Sequence, residues 1–318
     1  MINKILKATE RISMIFKETH SLIKGGWESS YAMWCIIWWV AWSVKLTKLN
    51  KLATEKKRHY IFRHIHKNYS TIVNRYQSSN ESDYECKEYK IWVFWAQGKE
   101  NMPSLVKACF NKLNENNKNV QFIDMNNVHE FVSLSPIVYD KLEKGELLFA
   151  HFSDILRNTL LAEHGGLWID STVWVPKEMP KIVTECTFFS PHNKADGTNW
   201  CSYAIGSNKV NSLTFSFIRD ILTEVCIKEE VWPDYLFQDM VFEFAYANIP
   251  AIKKSVNNVP NNNTERFMLF ALMNKAYDEE YYKQLISRNF IFKLSYKATY
   301  KTNCGELPTF YAKLIGNS

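Results

Sequence analysis

From residue 90 onward the sequence alternates short apolar runs with patterns typical of helices, and this alternation constrains the fold more than any other feature. Residues 90–97 form a nearly continuous apolar run, as a buried strand does. Residues 103–116 predict a helix with a proline in its first turn, and residues 120–124 predict a second strand. The alternation favours an α/β fold with a mainly parallel sheet covered by helices, and such sheets bind ligands at the carboxyl ends of their strands.

One segment joins a helix to a strand through two glycines. The pattern over 152–164 predicts a helix that ends at Gly165-Gly166. Glycine lets the backbone leave a helix through a left-handed conformation. The strand predicted over 167–170 then brings Asp170 to its carboxyl end.

Four polar side chains flank this turn. Asp154 and Arg157 are three residues apart, on one face of the predicted helix. Asp170 and Thr172 are two apart, so their side chains point the same way if the chain stays extended. Such a set could hold a hard divalent cation, which takes oxygen ligands and shares them with phosphates. The alternative is an ordinary helix cap and a surface pair of Asp154 with Arg157.

The motif carries a resemblance to a known family. Ser153-Asp154-x-x-Arg157, followed after seven residues by Gly-Gly-x-Trp-x-Asp170, resembles the sugar-nucleotide-binding signature of glycosyltransferase family 32. The Asp-Ser-Thr ending at 170–172, with residues 91–98 and 293–297, more closely resembles the bacterial capsular polysaccharide synthesis branch. The similarity covers about residues 90–300.

The resemblance implies a GT-A-like, Rossmann-type mixed or parallel sheet that binds a nucleotide sugar, a UDP-hexose, and transfers the hexose with retention. The strand-end acid of such enzymes helps to hold Mn²⁺ or Mg²⁺ on the diphosphate, which assigns the metal to Asp170 and Thr172. Relatives usually have Asp-x-Asp, so the threonine weakens this site. The donor-binding residues expected from the resemblance are Trp95, Gln97, Ser153, Asp154, Arg157, Gly165, Gly166, Asp170 and Lys297.

Two further groups have open interpretations. Asp239 follows an aromatic patch at 232–237 and is either an acid that faces the acceptor or the donor, or an acid at a helix N-terminus. Lys293, Lys297 and Lys301 either neutralise the leaving diphosphate or form a solvated face. The predicted catalytic residues are Asp154, Arg157 and Asp239.

The N-terminal segment carries the positive charge of the chain. Residues 1–67 hold 13 Lys and Arg against four Glu, a net charge of +9, whereas all 318 residues sum to +6 and the remainder is therefore −3. Nucleic acid is the usual partner of so basic a segment. The aromatic pattern in this segment favours a membrane surface instead.

Trp27, Tyr31, Trp34, Trp38 and Trp42 form an aromatic stripe if their segment is helical. The stripe either packs on the rest of the chain or lies in the headgroup region of a membrane, with lysines toward anionic lipid, and both can hold on different faces. We predict membrane contact through residues 27–58 and no nucleic-acid partner.

The sequence predicts a basic, Trp-rich helical segment over 1–76 and a glycosyltransferase domain over 77–318. Seven scattered cysteines without a Cys-x-x-Cys pair fit reduced thiols in a cytosolic protein. The resulting hypothesis is a hexosyltransferase, peripheral on the inner face of the cell membrane, that extends a lipid-linked capsular or surface polysaccharide intermediate. The alternative is a catalytically weak scaffold of a polysaccharide assembly complex, which the missing second acid motivates.

Overall fold

The computed structural model describes residues 15–79 and 84–316, and the chain divides into two compact units. The first unit contains the residues up to 79 together with 134–155 and 217–249. The second contains 80–133, 156–216 and 250–318. These units do not follow the division into 1–76 and 77–318, because two later segments pack with the N-terminal helices. As a domain boundary, that division stays a prediction.

Helices account for most of the regular structure. Single 3-10 turns lie at Lys99–Asn101 and Val128–Glu130. The helices are, in chain order, α1 (15–24), α2 (Ser29–Ser43), α3 (Thr47–Asn68), α4 (Ser70–Gln77), α5 (Ser104–Asn116), α6 (Pro136–Glu143), α7 (Phe149–His164), α8 (Ile182–Glu185), α9 (Leu213–Lys228), α10 (Phe237–Asn248), α11 (Pro250–Asn257), α12 (Met268–Leu272), α13 (Glu279–Arg288) and α14 (Phe310–Leu314).

The strands are short and lie in the second unit. They are β1 (Ile91–Phe94), β2 (Val120–Ile123), β3 (Gly166–Ile169), β4 (Val173–Trp174), β5 (Ala204–Ser207), β6 (Phe292–Lys293), β7 (Asn303–Cys304) and β8 (Leu307–Pro308). The three strands predicted over 90–97, 120–124 and 167–170 are confirmed as β1, β2 and β3.

The main sheet is mixed, with strand order β2-β1-β3-β5. β1 runs parallel to both β2 and β3, and β5 runs antiparallel to β3. All four residues of β1 and of β3 are buried, which explains why these segments read as continuous apolar runs. The predicted α/β fold with a parallel-rich sheet and helical covering is therefore confirmed, while the GT-A assignment stays a prediction.

The N-terminal helices are held in the first unit by buried polar contacts. The Glu229 carboxylate accepts hydrogen bonds from Trp27 Nε1 at 2.7 Å and from Tyr69 Oη at 2.6 Å. Tyr31 Oη donates to the Pro233 carbonyl at 2.9 Å. Trp27 and Tyr31 are only 3% and 0% exposed, so the packing interpretation is right for these two members of the aromatic stripe.

The other end of the stripe is open to solvent. Trp42 is 58% exposed, and its ring stacks at 6.4 Å on that of Trp38, whose Nε1 donates to Thr54 at 3.1 Å. Within residues 15–79 and 84–316, no helix combines the length and the apolar character that crossing a bilayer requires. The helical nature of the N-terminal segment is confirmed for these residues, and its contact with a membrane stays a prediction.

Candidate functional site

The turn between α7 and β3 is built as the two glycines predict. Gly165 and Gly166 have φ angles of +67° and +90°. A Cβ atom on Gly166 would lie 2.3 Å from the Lys90 carbonyl oxygen and 3.0 Å from Trp92 Nε1. Only glycine lets the chain leave the helix in this conformation and enter the sheet beside β1. The turn therefore fixes where β3 begins, and the four-residue strand ends one residue before Asp170.

Asp170 lies at the carboxyl edge of the sheet and is surrounded by donors. Its Oδ2 accepts from Lys293 Nζ at 2.7 Å, and its Oδ1 accepts from Arg157 Nη2 at 3.2 Å and from Trp168 Nε1 at 2.9 Å. Burial alone would raise the pKa of Asp170, but the charges of Lys293 and Arg157 outweigh it and lower the pKa to about 2. Asp170 is therefore a carboxylate at every pH at which a folded protein normally works.

Thr172 shares its partner with Asp170. The Lys293 ammonium also donates to Thr172 Oγ1, at 2.9 Å. The two-residue spacing thus places the carboxylate and the hydroxyl on the same side of the chain, as predicted.

Arg157 is a buried residue, with 5% of its surface exposed. Its guanidinium carbon lies 5.0 Å from the centre of the Trp168 ring, a cation–π geometry. Arg157 is therefore not part of an exposed surface, and it forms an ion pair with Asp170 at 3.2 Å.

Three other expected donor-binding residues lie in the second unit. Trp95 follows β1 directly and its ring meets that of Tyr296 edge to face at 5.5 Å. Lys297 is exposed, with Nζ 6.0 Å from the same tyrosine ring. Gln97 is also exposed, and its carbonyl accepts from Asn101 Nδ2 at 2.7 Å. Trp95 and Lys297 therefore share Tyr296 as a neighbour.

The remaining predicted residues belong to the first unit. Ser153 and Asp154 are half-buried on α7, and Asp239 is half-buried in the first turn of α10. The position of Asp239 is thus the helix N-terminus that one of its two interpretations describes. Catalytic roles for Asp154 and Asp239 stay predictions.

Asp170 and Thr172, which were expected to hold a divalent cation, leave no free ligand atoms for such an ion in this arrangement. The Lys293 ammonium already bridges Asp170 and Thr172, and the second carboxylate oxygen of Asp170 accepts from Arg157 and Trp168. In the part of the chain that the structure describes, no group of three or more His, Cys, Asp or Glu side chains could hold a metal. A cation placed here would lack ligands and would lie beside two positive charges.

The sequence did not predict that Lys293, rather than Lys297, joins this cluster, or that Tyr203 lies beside it. Lys293 was one of three candidate cations, but donor binding was assigned to its neighbour Lys297. The Lys293 Nζ also lies 5.0 Å from the centre of the Tyr203 ring, and the Tyr203 carbonyl accepts from the Asp170 amide at 2.8 Å. Both residues reach the site through strand pairing that no local pattern reveals.

Comparisons with known proteins identify a family and similar solved structures. The family model described as "Capsular polysaccharide synthesis protein" matches residues 42–314. No curated protein matches the chain. Among solved structures, the "PaToxG Glycosyltransferase" is similar with a TM-score of 0.38 and 17% sequence identity, over 64% of this chain and 83% of that chain.

Proposed function

This chain belongs to the capsular polysaccharide synthesis family, and on that premise we propose that it is a glycosyltransferase that moves a hexose from a nucleotide sugar to a lipid-linked polysaccharide intermediate. The observation that carries the proposal is the convergence of Lys293 and Arg157 on Asp170. This cluster lies at the carboxyl edge of the sheet, where α/β proteins bind ligands. Two cations beside one carboxylate give this edge the charge that binds a diphosphate.

The proposed reaction exchanges one C1–oxygen bond for another. The bond between C1 of the hexose and the diphosphate oxygen breaks, and the nucleoside diphosphate, UDP for a UDP-hexose, leaves with the electron pair. The acceptor hydroxyl oxygen bonds to C1 on the same face, which retains the configuration, and its proton passes to the leaving diphosphate. Cations at the leaving group lower the barrier because negative charge develops there.

The sheet geometry supports further roles near the donor. Trp95 and Asp170 each follow a strand of one parallel pair, so both lie at the same edge of the sheet. We place the nucleoside base beside Trp95 and Lys297, and the diphosphate beside Asp170. Roles proposed from the sequence motif alone are donor contacts for Gln97, Ser153 and Asp154 and an acceptor contact for Asp239.

A donor screen tests this proposal against the scaffold alternative, which the threonine at position 172 favours. The purified chain is titrated calorimetrically with UDP-, GDP-, CDP- and dTDP-hexoses, and transfer is followed by release of the nucleoside diphosphate. We expect binding of one nucleoside class in the range of about 1 μM to 1 mM that is usual for enzyme substrates. Competition by the free nucleoside diphosphate is the specificity control. A folded chain that binds none of the donors would support the scaffold and contradict the enzyme.

We further propose that the tip of the α2–α3 hairpin, residues 40–52, contacts the inner face of the cell membrane, where lipid-linked acceptors lie. The tip has no acidic residue and contains the lysines at 45, 48 and 51, all exposed. Its apolar side chains are unusually open to solvent, including Trp42 at 58%, Val44 at 59% and Leu46 at 51%. Exposed apolar and basic groups together are what an anionic membrane surface binds.

Removing the tip lysines is expected to weaken vesicle binding. With about 1 kcal/mol per lysine near an anionic surface, the change of Lys45, Lys48 and Lys51 to glutamine lowers the binding constant about 100-fold. The measurement is co-sedimentation with phosphatidylcholine vesicles that contain phosphatidylglycerol. The matched control changes three exposed lysines of the second unit, at positions 275, 283 and 313, and so removes the same charge. Equal pelleting of the two triple variants would refute the assignment of the tip.

A further inference from the structure

The Lys293 ammonium occupies the place that a divalent cation would take between Asp170 and Thr172. Its Nζ lies 2.7 Å from Asp170 Oδ2 and 2.9 Å from Thr172 Oγ1. Two of its three N–H groups are used, and no hydrogen bond within residues 15–79 and 84–316 engages the third. With 25% of the side chain exposed, that N–H can meet an oxygen from a ligand.

The backbone, and not only a flexible side chain, places the ammonium there. β4 and β6 pair antiparallel with Val173 opposite Lys293. The Leu294 amide donates to the Thr172 carbonyl at 3.0 Å, so the residues that follow Asp170 are held against β6. The Lys293 amide donates to the Arg266 carbonyl at 2.9 Å, which fixes β6 from its other side.

The net charge of the site is the same as it would be with a divalent cation and a second carboxylate. In the Asp-x-Asp arrangement of the resemblance, a divalent cation and the second carboxylate together contribute +1. In this chain the Lys293 ammonium and the Thr172 hydroxyl also contribute +1. Asp170 and Arg157 add one negative and one positive charge in both cases. The positive charge offered to a diphosphate is therefore unchanged although one carboxylate is missing.

We propose that Lys293, with Arg157, neutralises the donor diphosphate in place of a divalent cation, so that the chain binds its nucleotide sugar without metal. The inference rests on the proposed function and specifies its diphosphate subsite. The third N–H of Lys293 donates to a diphosphate oxygen, and Asp170 positions both cations. Thr172 accepts from the ammonium and binds no metal.

Binding of inorganic pyrophosphate tests the subsite without knowledge of the sugar or the base. In calorimetric titrations with EDTA present, the wild-type chain is expected to bind pyrophosphate. Lys293→Ala is expected to lower the affinity about 10- to 100-fold, the weight of one hydrogen bond between charged groups. Lys283→Ala, an exposed lysine on α13 that pairs with Glu279, is the matched control and leaves the affinity unchanged. Equal affinity of Lys293→Ala and wild type would overturn the proposal.

Mn²⁺ binding, followed by electron paramagnetic resonance of the free ion, supplies a second readout. The wild-type chain is expected to bind no Mn²⁺. The double variant Thr172→Asp/Lys293→Ala restores two carboxylates and removes the ammonium, and it is expected to bind Mn²⁺. Mn²⁺ bound by the wild type, or transfer that stops with EDTA and returns with Mn²⁺, would overturn the proposal but leave the glycosyltransferase intact. A chain that binds neither pyrophosphate nor any nucleotide sugar, with or without Mn²⁺, would contradict both.

Discussion

Replacing Asp170 by asparagine is expected to slow sugar transfer about 10²–10³-fold while the chain stays folded. One carboxylate accepts from Lys293, Arg157 and Trp168, and its charge is what holds the two cations together at the sheet edge. Without that charge the cations repel each other and lose the geometry that meets the leaving diphosphate. Removing a single preorganised charged or polar group from an active site costs about 10²–10³-fold in rate.

Folding should survive the change because asparagine keeps the size of the side chain and an oxygen that still accepts from Trp168. The Asp170 and Lys293 side chains are 28% and 25% exposed, so water can solvate the ammonium. We expect a loss of about 1–3 kcal/mol in the free energy of unfolding, as for a buried donor that loses its acceptor. Circular dichroism and denaturant unfolding check this alongside the transfer rate.

A matched control distinguishes the effect of losing Asp170 from the effect of losing any ion pair of the same unit. Glu265 pairs with Arg288 in the same unit, with Nε–Oε2 at 2.9 Å and a carboxylate side chain that is 29% exposed. Glu265→Gln removes the same kind of contact and is expected to keep normal transfer. Pyrophosphate binding should weaken in Asp170→Asn but not disappear, because both cations remain but the carboxylate no longer holds them in position. Normal transfer by a purified, folded Asp170→Asn chain would show that Asp170 has no part in the reaction.

The helix, the glycine turn and the strand that ends at Asp170 could be predicted because their signals are local. A helical pattern, two adjacent glycines and an apolar run all lie within 152–170. The structure adds the steric reason, since the Lys90 carbonyl leaves no room for a side chain on Gly166. The shared orientation of Asp170 and Thr172 also followed from spacing alone.

The cation that joins Asp170 and Thr172 could not be chosen from sequence. Lys293 and Lys297 lie four residues apart in one basic stretch and look equivalent. Pairing of β4 with β6 brings Lys293 opposite Val173, 120 residues earlier in the chain, whereas Lys297 stays exposed. A choice between the two needs a contact between distant segments, which the local pattern does not encode.

The aromatic stripe of the N-terminal helices is a second case in which the local pattern does not encode contacts between distant segments. The helical spacing predicts the same environment for Trp27, Tyr31 and Trp42. Trp27 and Tyr31 are buried because their polar atoms reach Glu229 and Pro233, each 202 residues away, whereas Trp42 stays exposed. Both interpretations of the stripe therefore had a physical basis. The end at Trp27 and Tyr31 packs in the first unit, and the proposed membrane contact therefore concerns the exposed end at Trp42.

Replacing Gly166 by alanine is expected to destabilise the chain by about 3–5 kcal/mol, through backbone strain and overpacking together. The φ angle of +90° is strained for any residue with a Cβ atom. The new Cβ would lie 2.3 Å from the Lys90 carbonyl oxygen, a backbone atom of the segment that leads into β1. Because backbone atoms cannot rotate away as a side chain does, β3 must shift from β1. Denaturant unfolding, read as a change in midpoint at constant slope, measures the loss.

Gly305→Ala isolates the contribution of the clash. Gly305 has a φ angle of +63° in the turn between β7 and β8, and its Cβ would meet no atom within 4 Å. This control has the conformational strain without the contact, so we expect it to cost only about 1–2 kcal/mol. A Gly166→Ala chain no less stable than Gly305→Ala would show that the sheet yields easily at this point. If the clash does move β3, the shift reaches Asp170 four residues later, and any Gly166→Ala protein that remains folded should transfer sugar more slowly than Gly305→Ala.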